Sequence, residues 1–76
     1  MVEKKKVNVV IYLQSGSVLE GIHATELGSL VEIASELGSM RHTGGTPMII
    51  LRRKIEPNKG AVFALTKNVE AFEIYS

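Results

Sequence analysis

The sequence predicts an α+β domain with elements in the order ββαβββ. The sheet is expected to be five-stranded, antiparallel and strongly curled towards a barrel, with one amphipathic helix between strands 2 and 3. Three observations carry this expectation. Residues 9–21 hold two β-branched and aliphatic runs on either side of Ser15-Gly16, a spacing that fits a tight hairpin. Residues 27–40 are the only stretch whose apolar positions recur at helical period. From Pro47 onward, short apolar runs alternate with Pro, Gly and Asn, the punctuation of further hairpins.

The first strand covers 7–13, with Val7, Val9, Ile11 and Leu13 on one face and Asn8, Val10 and Tyr12 on the other. If Ser15-Gly16 is the whole turn, Leu13 faces Val18, Tyr12 faces Leu19 and Val9 faces Ile22. Both faces of the hairpin are then partly apolar. On the helix, Leu27, Leu30, Val31, Ile33, Ala34, Leu37 and Met40 share one side, while Gly28, Ser29, Glu32, Ser35 and Glu36 share the other. Ser29 and Glu32 have capping-box spacing, Thr25 is a rival N-cap, and Gly38 suits a left-handed terminating residue.

A polar connection over 39–46 leads to Pro47, which suits the first position of a strand because its missing N–H does no harm there. That third strand is expected over 48–55, followed by a turn at 56–60, a fourth strand at 61–65, a short turn at 66–68 and a last strand at 69–75. One helix offers one apolar stripe. Val10, Tyr12, Leu19, Met48 and Ile50 therefore need a second cover, supplied by curling of the sheet and by contact between subunits.

With 76 residues, the chain is a single domain, 1–76, close to the lower limit for a self-sufficient core. Small domains lean on disulfides, metals or oligomerisation; with no cysteine, the first is excluded, and the last is favoured over a metal. A net charge of +1 excludes a general attraction to nucleic acid or membranes, so such affinity would have to come from a local patch. The apolar run behind Glu3-Lys4-Lys5-Lys6 is broken by Asn8, lacks a small-residue cleavage site, and falls short of the ~20 residues of a membrane span. A cytoplasmic homo-oligomer without membrane partners is expected.

The pattern Val9-x-Ile11-Tyr12-Leu13-x-x-Gly16-x-x-Leu19-x-Gly21 resembles the first two strands of Sm-like proteins, especially the Hfq-type bacterial RNA chaperones, within the wider group of SH3-like small barrels. Residues 61–69, Ala-Val-Phe-Ala-Leu-Thr-Lys-Asn-Val, resemble that family's fourth strand, short turn and fifth strand. The resemblance implies a bent five-stranded barrel and rings built by pairing the fourth strand of one subunit with the fifth of the next. Sm-like proteins carry their helix before the first strand, whereas this helix follows the second. Ala64-Leu65 stands where the Hfq-type Lys-His RNA signature would fall.

Two candidate sites follow from the residues themselves. Arg52, Arg53 and Lys54 form the densest basic run and, helped by Lys4, Lys5, Lys6, Lys59 and Lys67, would contact phosphates of a nucleic acid; a charged edge strand that discourages aggregation explains them as well. Arg53 is the odd member, since alternation puts it with Ile49, Leu51 and Ile55, where it either lies beyond the covered core or meets Glu20 or Glu73. Arg41, His42, Thr43, Gly44, Gly45 and Thr46 could cradle a small anion or nucleotide, although no Walker pattern is present and a plain connection accounts for them equally. Tyr12, Phe63, Phe72 and Tyr75 could stack bases if exposed, but packing is the commoner use. His23 reads as a hydrogen-bonded structural residue, and Glu32 and Glu36 as a solvated helix face. No nucleophile–base set, metal-ligand set or cofactor motif is present, so a non-enzymatic self-associating binding protein is the leading expectation, with nucleic-acid or small-anion binding as alternatives.

Overall fold

The computed structural model describes residues 4–41, 44–56 and 58–75. Strands β1 (Lys5–Leu13) and β2 (Val18–Thr25) precede a helix, α1 (Leu30–Gly38), and are followed by β3 (Met48–Arg52), β4 (Ala61–Leu65) and β5 (Val69–Tyr75). A single 3₁₀ turn, Thr66–Asn68, joins the last two strands. All pairings are antiparallel, in the spatial order β4-β3-β2-β1-β5. The α+β class, the element order and the helix position match the expectation. Closure does not: β4 and β5 are the two edges, and no ladder joins them, so the sheet is open and not a strongly curled barrel.

The hairpin has its turn in the expected place but a different register. Leu13 N–H donates to the Ser17 carbonyl and Gly16 N–H to the Leu13 carbonyl, each at 2.9 Å, and Gly16 takes φ 93°. This is a three-residue loop with glycine in the left-handed position, not a two-residue turn. The extra loop residue moves every pair by one: Tyr12 faces Val18, Ile11 faces Leu19 and Val9 faces Gly21. That register puts Val7, Val9 and Ile11 of β1 on the same face as Gly21, His23 and Thr25 of β2, and all six are buried.

Ile33 and Leu37 of α1 close over this face, joining Val7, Val9, Ile11, Ile49, Leu51 and Ala64 in one aliphatic core. The helix is shorter than its apolar period suggests, with Leu27 and Met40 packing from the flanking chain. Ser29 is the N-cap residue, without a side-chain capping bond. Gly38 is the last helical residue and is not left-handed; the following Ser39 ends the helix instead, its hydroxyl donating to the Glu36 carbonyl at 3.1 Å.

Sheet continuity is uneven. β1 pairs with β2 over eight positions and β3 with β4 over five, yet β2 meets β3 at the single pair Ile22–Arg52. Gly21 makes that close approach possible, since a Cβ there would lie 2.6 Å from Leu51 Cβ and 2.9 Å from the Arg52 carbonyl oxygen. β3 ends at Arg52, three residues before its expected end, which releases Arg53 from the apolar face to which alternation assigned it.

Candidate functional site

The register determines which side chains share the face that α1 does not cover. Tyr75, Asn8, Ile22, Arg52 and Ala61 form one row across all five strands. Ile50 pairs with Phe63 in a neighbouring row, and Val10 lies between Glu20 and Glu73 in another. Val10, Tyr12, Ile22, Met48 and Ile50 are half-buried there, while Phe63 and Tyr75 stay 55% and 44% exposed. Leu19, expected among the residues without cover, packs instead against the core.

A second apolar surface borders the β5 edge. At the start of α1, Leu30 and Val31 are 57% and 78% exposed. Together with Ala34, Phe72 and Ile74 they line a groove of about 300 Å³. The helix thus covers the core with Ile33 and Leu37 and presents Leu30 and Val31 beside an unpaired strand.

The basic candidates are brought together only in part. Arg52 is exposed on the uncovered face, and Arg53 and Lys54 follow it into a depression lined also by Glu20, Ile55 and Val62. Lys67 is separated from them: it follows Leu65, which pairs with Met48, whereas Arg52 pairs with Ala61 at the opposite end of β4. At about 3.3 Å per residue, the five-residue strand keeps the two ends well over 10 Å apart. Lys6 lies nearer to Arg52, since it pairs with Ala24 two positions along β2 from Ile22.

In the connection after α1, Arg41 Nη1 donates to the Gly45 carbonyl at 3.1 Å, Gly45 has φ 83°, and Arg41 forms an isolated bridge with Pro47. The guanidinium therefore closes its own loop. Gly44, Gly45 and Thr46 are exposed. His42 and Thr43, the other members of the anion-site expectation, lie outside the described residues.

His23 is 7% exposed and Thr25 3%, and both face the helix. His23 Nε2 donates to Glu36 Oε1 at 2.7 Å, and Thr25 Oγ1 donates to Glu36 Oε2 at 3.5 Å while accepting from the Leu27 N–H at 3.1 Å. Glu36 thus reaches the sheet with its carboxylate, although its side of the helical wheel suggested a fully solvated residue, and its side chain stays partly exposed. Its position three residues after buried Ile33 was the signal for this, because i and i+3 are neighbours on a helix. The trio ties β2 to α1. On the other face Tyr12 Oη donates to Glu73 Oε1, and this bond, with some desolvation and the nearby charge of Glu73, pushes the Tyr12 phenol above its ordinary value.

Among the described residues no group of three or more His, Asp or Glu side chains could hold a metal ion, and no helix is long and apolar enough to cross a membrane. No family model, curated protein or solved structure matches the chain.

Proposed function

We propose that this protein is a self-associating binding module whose open sheet is completed by neighbouring copies. The carrying observation is surface in excess. A folded monomer of 8.3 kDa is expected to expose about 4,600 Å², whereas this chain exposes 5251 Å². Leu30, Val31, Phe63 and Ile55 are apolar side chains that are each more than half exposed.

The two edges are suited to each other. β5 carries Glu70 and Glu73, while β4 is flanked by Lys59 and Lys67. Pairing β4 of one copy with β5 of the next would satisfy two rows of backbone groups and set opposite charges side by side. It would also be the ring contact implied by the Sm-like resemblance, with the curl of the sheet completed across subunits. Hydrogen exchange tests this reading. Amides of β4 and β5 should gain protection as protein concentration rises, while those of β1, already paired on both sides, should not. Concentration-independent exchange at both edges would refute it.

A second reading, nucleic-acid binding, is favoured by Lys6 and Arg52 sharing the face that exposes Phe63 and Tyr75, since cations beside aromatic rings suit a single strand. Glu20 and Glu73 on the same face weaken it. Retardation of single-stranded RNA at low salt, abolished by Arg52→Glu, is the expected outcome; no retardation there would remove this reading.

A further inference from the structure

We infer that the crevice between β2 and β3 is a binding site for a small amphipathic anion, with a carboxylate or phosphate head and a short apolar tail. The crevice exists because the two strands touch at one pair and diverge beyond it. Past Ile22–Arg52, the chain over 23–25 has β1 on one side and no ladder to β3 on the other. The space left holds about 350 Å³, inside the range of roughly 300–1,000 Å³ common for small-molecule sites.

Its lining is divided by chemistry. Ile22, Ala24, Met40 and Ile50 supply apolar walls, and Lys4 and Arg52 supply the charge. No carboxylate lines it among the described residues, although Glu26 and Glu36 line the adjoining depression that shares Lys4 and Ala24, and Glu20 and Glu73 lie elsewhere on the same face of the sheet. The walls are half-buried and both cations exposed, so a tail can be desolvated while its head remains at the rim. Arg52 offers a planar fork and Lys4 a mobile point charge, a combination suited to either kind of oxyanion. His23 also borders the crevice, but its Nε2 is engaged by Glu36, which leaves the two rim cations to hold the head group. Ala61 at the start of β4 also lines the crevice, but the unpaired backbone edges of β4 and β5 take no part in it, so the site stands independently of self-association.

The test is an amide-resolved NMR titration of the full chain with four probes of one tail length: octanoate, octyl phosphate, octanol and octyltrimethylammonium. Saturable shifts at Ile22, Ala24, Ile50 and Arg52 are expected with the two anions, binding about tenfold weaker for octanol and none for the cation. Comparing octanoate with octyl phosphate distinguishes the two head groups. Arg52→Gln and Lys4→Gln should each weaken anion binding several-fold with the spectrum otherwise retained, and Ala24→Phe should block the tail. Shifts centred elsewhere, equal binding of all four probes, anion binding indifferent to both cation variants, or a crevice perturbed only by an oligonucleotide would overturn the assignment. Should Ala24→Phe fail to fold, the two exposed cation variants decide the matter.

Discussion

The two faces of the sheet are built from similar residues and meet different fates. On one, Val9, Ile11, Ile49 and Leu51 are each no more than 1% exposed beneath α1. On the other, Val10, Ile22 and Ile50 are only half-buried and Phe63 stays 55% exposed. Composition does not separate them. What separates them is the reach of one nine-residue helix, about 13 Å long at 1.5 Å per residue, against strands of up to nine residues, about 30 Å long. The lesson is that supply of apolar surface in a small domain can outrun what its own elements can hide, and the remainder stays on the surface.

The contrast can be broken most forcefully inside the helix. Leu37→Ala removes a fully buried side chain and should cost about 2–5 kcal/mol, read as a lower urea midpoint. Val31→Ala, on the exposed turn of the same helix, should change monomer stability by no more than about 0.5 kcal/mol yet weaken association. Equal losses at both positions would show that the two ends of α1 are not in different environments.

Next comes Gly21→Ala, which would place a methyl group 2.6 Å from Leu51 Cβ. Overpacking of about 1–3 kcal/mol is expected, with the Ile22–Arg52 pair the first to lose exchange protection. A neutral substitution would mean that β2 and β3 part more readily than their single pair implies. A smaller effect belongs to the covered face's polar tie. Glu36→Ala leaves His23 without its partner and should cost about 1–2 kcal/mol by urea denaturation, discounted because the Glu36 side chain is 39% exposed.

The smallest effect lies on the uncovered face. Tyr12 should ionise above 10.0 in an absorbance titration, and Glu73→Gln should bring it back towards that value. Because the folded state favours the protonated phenol, the contribution of Tyr12 to stability is present at neutral pH and is lost as pH rises through the raised value. Unchanged titration in the Glu73→Gln variant would remove the Tyr12–Glu73 bond from this picture.

Much of this fold was legible in the sequence because alternation and helical period report burial directly. The faces of β1 and the α1 stripe around Ile33 and Leu37 were readable for that reason. Hairpin register was not: Gly16 signals a turn, but two- and three-residue loops both welcome glycine, and one residue shifts every cross-strand partner. The limit of β3 escaped because Arg53, Lys54 and Ile55 continue an alternating pattern after the chain has left the sheet. Openness escaped for another reason. Strand composition records which faces are apolar, and not whether the edges meet within one chain or between two. In the candidate sites, Arg52, Arg53 and Lys54 were found as neighbours because they are consecutive, whereas the separation of Lys67 depends on strand direction. The crevice had no local signature, since it arises from strands that diverge.

Static light scattering across a dilution series, from millimolar to low micromolar, tests most directly whether the uncovered surface is an interface. A mass that is a multiple of 8.3 kDa at the high end, falling on dilution or in a Phe63→Glu, Val31→Glu variant, is the predicted result. A mass of 8.3 kDa at every concentration would contradict it, and would mean that this domain tolerates its exposed apolar surface alone.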